Sequence, residues 1–166
     1  DEPVGETVYL NLISRAKKYI YINTPYLIID IEMISALCLA AKQGVDVRIV
    51  TPHIPDKWYV HAVTKWNYNV LLQAGVKIYE YTPGFIHAKS FVVDDEYAVI
   101  GTINLDYRSL YLHFECGVWL YKASSIHQIK QDFFEILKVS QEIQKEKIFW
   151  PQKIGRALLN LFAPLM

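Results

Sequence analysis

The chain has 166 residues, 52% of them hydrophobic, and its 17 Lys and Arg balance 17 Asp and Glu to a formal net charge of zero. This length suits one ordinary domain, the apolar content excludes wholesale disorder, and the charge balance removes the basic field that nonspecific nucleic-acid binders use. Cys38 and Cys116 lie in apolar segments without a CxxC spacing, which predicts buried thiols in a reducing compartment and argues against a disulfide framework or a metal knuckle.

Glu6 to Lys17 predicts an amphipathic helix with Val8, Leu12, Ile13 and Ala16 inward. A phrase then recurs: KKYIYINTP from Lys17, GVDVRIVTP from Gly44 and GVKIYEYTP from Gly75. Each reads as a strand rich in β-branched and aromatic residues and stopped by Thr-Pro. Asp30 to Gln43 and Lys57 to Gln73 carry apolar residues at helical spacing between them, which makes a βαβαβ unit with parallel strands. Parallel strands share a carboxyl edge, where open α/β sheets bind ligands. Tyr26 and His53 emerge there as candidate substrate-binding residues, with packing as the alternative for each.

Ser90 to Val93 and Tyr97 to Gly101 predict a hairpin through Asp94, Asp95 and Glu96, followed by a strand from Phe114 to Tyr121. Ser125 to Gln144 predicts a long helix with Ile129, Phe133, Ile136 and Leu137 inward. The expected class is α/β: a mixed sheet with a parallel βαβαβ unit followed by an antiparallel hairpin and a further strand, with helices on both faces. Residues 1–149 form one domain in this reading. Residues 150–166 form an amphipathic tail, with Ile154, Leu158 and Leu161 near Lys153 and Arg156, that either meets a membrane interface or docks back. No apolar run reaches the roughly 18 residues of a membrane span. The start on Asp1 without a signal-like block predicts a piece of something longer.

His87 and Lys89 stand two apart on one strand and project together. With a two-residue loop at Asp94-Asp95, Thr102 falls opposite His87 and Asn104 follows on the same face, whereas an odd loop scatters them. That face gathers an imidazole, an ammonium, a hydroxyl and a carboxamide beside the backbone amides near Gly101, a set that binds phosphate and exchanges a proton. Asp94 lies roughly 20 Å from His87 at ~3.3 Å per residue and is read as a turn former. Asp106 and Arg108 are expected to fix their loop by an ion pair. Trp58, Tyr59, Trp66 and Tyr68 stand between contact with a ligand and a place in the core, the usual role of aromatics at this spacing. No metal-ligand set is read, and His53, His61, His113 and His127 are not followed two residues later by Lys.

His87, Lys89 and Asp94 as HxKxxxxD, followed by Gly101, Thr102 and Asn104 as GTxN, resemble the HKD motif of the phospholipase D superfamily, with Thr102 where Ser is usual. NTPYLIID, GVDVRIVTPHIPDK, AGVKIYEYTPGFIHAKSFVVDD and TINLDYRSLYLHFECGVWLY are similar to the C-terminal half of bacterial cardiolipin synthases, over nearly the whole chain. The resemblance implies a phosphatidyltransferase that joins two phosphatidylglycerol molecules into cardiolipin and releases glycerol through a phosphohistidine, without a cofactor. His87, Lys89 and Asn104 are then catalytic, Gly101 and Thr102 contact substrate, and Glu115 matches a carboxylate that orients an active-site His. Pairing of Glu115 with Arg108 is its alternative. Family members carry two HKD motifs and an N-terminal membrane region. The expected partners are therefore phosphatidylglycerol, the membrane surface, and a second HKD motif from the N-terminal half of the parent or from a homodimer mate. No nucleic acid is expected. The parent is placed at the cell membrane with this part on the cytoplasmic side, and the isolated chain is expected to turn over weakly at best. The rival readings are a homodimeric phosphodiesterase or nuclease and a noncatalytic module that holds anionic lipid.

Overall fold

The computed structural model of the protein describes residues 2–145, so the tail over 150–166 lies outside the described residues. Helix α1 (Val4–Arg15) leads into β1 (Tyr19–Asn23), the short β2 (Leu27–Ile28), α2 (Ile31–Lys42), β3 (Asp46–Pro52), α3 (Trp58–Ala74) and β4 (Lys77–Tyr81). β1 pairs with β3 and β3 with β4 in parallel, which is the expected βαβαβ unit. Local chemistry sets the helix ends. Asp30 caps α2 by accepting from the Met33 amide at 2.8 Å, and Gly75 closes α3 at φ 102°, a left-handed conformation that glycine adopts without steric cost.

The antiparallel hairpin consists of β5 (Ser90–Val93) and β6 (Tyr97–Gly101), with β5 against β1 and β6 against β8 (Gly117–Tyr121). Between them, β7 (Leu105–Asp106) pairs with β2 in a small separate sheet, and Arg108–Leu112 form one π-helical turn. The chain continues into α4 (Ser125–Lys138) and β9 (Ser140–Glu142). The main sheet runs in the order β8-β6-β5-β1-β3-β4-β9. Helices cover both faces, α1, α2 and α3 on one and α4 on the other. The alternation of β1 divides the cores: Ile20 and Ile22 pack toward the first three helices, Tyr19 and Tyr21 toward α4, where Tyr21 stacks on Phe133 at 4.9 Å. Leu12, Leu37, Ile49 and Leu71 are fully buried in the larger core, each contributing about 1.5–3 kcal/mol of transfer free energy.

Three expectations are corrected. The hairpin register is Val93 opposite Tyr97, so the loop has three residues and not two; Asp94 and Asp95 take left-handed φ values of 55° and 61°, and the Glu96 amide donates to the Val93 carbonyl. Thr102 therefore does not fall opposite His87. The long helix ends at Lys138, because β4 would otherwise present an unpaired edge: residues 140–142 pair with it, and the Thr82 hydroxyl donates to the Val139 carbonyl at 2.9 Å. Finally, Cys116 is exposed and Cys38 half-buried, because Cys116 enters an edge strand whose residues are mostly exposed.

Candidate active site

The motif's aspartate sits at the tip of the hairpin. The Asp94 carboxylate accepts from the backbone amides of Lys17, Lys18 and Tyr19 at 2.6, 2.9 and 2.8 Å. Its backbone forms the turn while its side chain holds the entry to β1, which couples two segments more than seventy residues apart.

At the opposite end, Gly84 to Lys89 run without ladder partners along the carboxyl edge of the sheet. His87 is exposed, its ring 5.8 Å from that of Phe85, which in turn lies 6.2 Å from Tyr26. Lys89 is buried and donates to the His87 carbonyl at 2.8 Å. Burial pushes the Lys89 ammonium below its ordinary pKa, against the pull of the Glu115 and Asp106 carboxylates. Two of its three N–H donors remain uncommitted among the described residues.

Thr102 and Glu115 belong to one knot. The Thr102 amide donates to the Cys116 carbonyl at 2.8 Å, the Cys116 amide donates to Thr102 Oγ1 at 2.9 Å, and the Thr102 hydroxyl donates to the Glu115 carboxylate. His113 Nδ1 stands 3.9 Å from that carboxylate. Sequence reasoning passed over His113, although in HFE it lies two residues before Glu115 in extended chain and hence on the same side. Glu115 makes no pair with Arg108. Gly101 serves a different end from the expected amide contact with substrate. Its N–H donates to the Lys89 carbonyl at 3.3 Å, and a Cβ there would stand 2.1 Å from the Cys116 carbonyl oxygen, so glycine is what lets β6 and the start of β8 close up.

Asn104 Nδ2 donates to Ser109 Oγ at 3.0 Å, and its buried Oδ1 has no partner. Asp106 accepts from the Ser109 amide at 2.8 Å, so it caps the π-helical turn and does not form the expected ion pair with Arg108. Asn104, Asp106, Arg108 and His113 line a cavity of about 150 Å³ together with Tyr26 and Lys57. The Tyr26 hydroxyl donates to Asp56 at 2.7 Å, and burial together with that carboxylate holds the phenol above its usual range.

His53 emerges on the same edge but turns to other partners. Its Nδ1 lies 2.8 Å from the buried Glu80 carboxylate, which also receives Tyr68 at 3.3 Å and Lys65 at 3.5 Å. The structure brings Tyr26 to the Asn104 cavity and ties His53 to this second group. It also splits the aromatic cluster: Tyr68 is core, Trp66 is half-buried, and Trp58 and Tyr59 are exposed, their rings 5.9 Å apart.

The family model described as the PLD-like domain of cardiolipin synthase matches residues 9–137. The chain belongs to that family. A cardiolipin synthase of Staphylococcus aureus is 44% identical over 162 residues, and an uncharacterised protein of Streptococcus mutans is 52% identical over 170. These alignments cover 95% and 99% of this chain but 33% and 36% of those proteins, so the chain spans about a third of the length of the relatives it matches. The fold is that of the phospholipase D family member Nuc from Salmonella typhimurium, at a TM-score of 0.74 and 18% identity over 84% of this chain and 90% of that one.

A PLD-like domain with this edge has the groups for phosphoryl chemistry. An exposed imidazole supplies a nucleophile or an acid, and an ammonium with free donors neutralises a non-bridging oxygen. One imidazole cannot easily fill both roles in a double displacement.

Proposed function

We propose that this chain is the C-terminal catalytic half of a cardiolipin synthase, which transfers a phosphatidyl group between two phosphatidylglycerol molecules and releases glycerol. The observation that carries the reading is the convergence of His87, Lys89 and Asn104 on the carboxyl edge of a cardiolipin-synthase PLD-like domain. A histidine nitrogen attacks phosphorus, the bond from phosphorus to the glycerol oxygen breaks, and a second histidine protonates that oxygen. The same second histidine then takes the proton of the incoming hydroxyl, whose oxygen displaces the phosphohistidine nitrogen. His87 is one of the pair. Lys89 and Asn104 stabilise the charge that develops on the non-bridging oxygens, and Glu115, through Thr102 and His113, orders the wall facing Lys89.

The second histidine comes from another HKD motif, on the N-terminal half of a longer parent or on a homodimer mate. Its docking face is the wall of a cavity of about 560 Å³ in which exposed Phe114 and Trp119 stand with His113 and Glu115. The membrane-facing rim would be formed by exposed Ile54, Trp58 and Tyr59, which flank Lys57 in sequence, and by exposed Phe85, which shares a small cavity with Lys57, since Trp and Tyr suit an interface wet on one side. Among the described residues no helix is long and apolar enough to cross a membrane.

The test combines the chain with a second HKD-bearing half on phosphatidylglycerol vesicles and follows cardiolipin and glycerol. Equimolar appearance of both, with little from the chain alone, is expected. Nicking of plasmid DNA by the chain alone, rising with its own concentration, would replace the reading with a homodimeric nuclease.

A further inference from the structure

Cardiolipin carries two phosphates joined through one glycerol. A site that makes it by transfer must hold the acceptor lipid's own phosphodiester only three carbons away from the hydroxyl that attacks. His87, Lys89 and Asn104 account for the reacting phosphate and leave the second one without ligands.

The cavity of about 150 Å³ beside Asn104 has the missing charge. Lys57, at the start of α3, and Arg108, at the start of the π-helical turn, both line it, and among the described residues neither side chain has a carboxylate or hydrogen-bond partner. Of the other cations, Arg48, Lys77, Lys130 and Lys138 each reach a carboxylate within 2.8 Å, whereas Lys17, Lys18 and Lys42 also lack one among the described residues but do not line this cavity. The acids at or beside the cavity accept from donors of the protein itself: Asp106 in the lining from the Ser109 amide, Asp56 from the hydroxyl of the lining's Tyr26, and Glu115, 3.9 Å from the lining's His113, from the Thr102 hydroxyl. Asp106 is the one carboxylate in the lining, so an ammonium and a guanidinium leave the space net positive. That balance suits a phosphodiester monoanion, and the planar guanidinium suits its paired oxygens. Exposed Trp58 and Tyr59, following Lys57, offer an apolar exit for the acyl chains attached to such a phosphate.

We infer that this cavity seats the phosphodiester of the acceptor lipid, with Arg108 and Lys57 as its ligands and Asn104 between it and the reacting phosphate. The inference rests on the transferase reading above. In the step it serves, the acceptor's glycerol hydroxyl forms a bond to phosphorus, the phosphorus to histidine nitrogen bond breaks, and the hydroxyl proton passes to the second histidine.

The test uses an acceptor that lacks a phosphate. The two-motif assembly is given phosphatidylglycerol vesicles with labelled free glycerol, and cardiolipin formation is measured beside incorporation of label into phosphatidylglycerol. Arg108→Gln and Lys57→Gln should each lower the ratio of cardiolipin to glycerol exchange, roughly tenfold or more, as expected for a lost hydrogen bond to a charged group. Arg108→Lys, which keeps the charge, should restore much of the ratio and also controls for folding. An unchanged ratio, or equal loss of both products in a folded variant, overturns the acceptor site. A wild-type assembly that gives neither product instead removes the transferase reading and the inference with it, so the two failures are told apart.

Discussion

The two ends of the hairpin spend their polar groups in opposite ways. At the tip, the Asp94 carboxylate takes three backbone amides, and Asp95 takes the Tyr19 hydroxyl and the Lys130 ammonium at 2.7 and 2.8 Å. At the sheet edge, Asn104 Nδ2 keeps a second N–H beyond the one given to Ser109 and its Oδ1 has no partner, Lys89 keeps two free donors, and His87 stands exposed. One sequence motif therefore contains a saturated half that holds the fold and an unsaturated half whose valences await a substrate. Buried or aligned polar groups left unpaired cost stability, and they concentrate where a ligand can complete them.

This contrast is broken or sharpened by four measurements, beginning with the largest effect. His87→Ala should remove transfer in the two-motif assembly by orders of magnitude while circular dichroism stays that of the wild type. Acid quenching should trap a phosphoryl group on His87 if it is the nucleophile and on the partner histidine if it is the acid. Undiminished transfer by folded His87→Ala would place the chemistry elsewhere.

Next, Asn104→Ala should lower the rate by about 10²–10³, the worth of one preorganised donor, with only about 1 kcal/mol of stability lost through Ser109. A variant that melts far below wild type yet works normally once folded would assign Asn104 to the saturated class.

Asp94→Ala should show the reverse pattern. Loss of a charged acceptor shared by three amides should cost about 1.5–3 kcal/mol and lower the melting temperature by several degrees, with near wild-type rate per folded molecule. Wild-type melting combined with lost activity would collapse the distinction between the two ends.

The smallest effect concerns a third cluster, in which α1 and the π-helical turn meet the cap of α2. Burial and then the Asp30 carboxylate push Glu6 up to about 7, while the Tyr111 hydroxyl donates to Asp30. A carboxyl whose folded pKa is raised stabilises most below its unfolded value of 4.5, and the benefit is lost as pH rises through about 7. The melting temperature should therefore fall between pH 5 and 8 by more in the wild type than in Glu6→Gln. Parallel pH profiles would exclude Glu6 as the titrating group.

Much of the fold was legible because its signals are local. Ile20 and Ile22 against Tyr19 and Tyr21 alternate with the period of a strand, and the hairpin strands begin and end where β-branched residues do. The end of α4 was not legible: residues 140–144 continue a helical pattern, and only the unpaired edge of β4 turns residues 140–142 into a strand. In the site, the HxK and GTxN spacing was visible, but the even loop meant to align Thr102 with His87 was not the loop formed. His113 went unnoticed because a lone histidine carries no signal until Glu115 is seen beside it.

By itself, then, the sequence determined the strand and helix periods, the Thr-Pro stops that line up the carboxyl edge, and the chemical types gathered there. The tertiary structure decided which of those groups are free to act. His53 meets Glu80 across 27 residues, the Gly101 amide is taken by the Lys89 carbonyl, and the Asp94 carboxylate is filled by amides from the start of β1. Cys116 is exposed because β8 is an edge strand, a fact about neighbours and not about its own apolar segment. Periodicity is set by the geometry of the local chain, whereas the satisfaction of a polar group depends on which distant atom arrives within about 3 Å of it, and that is fixed only when the layers pack.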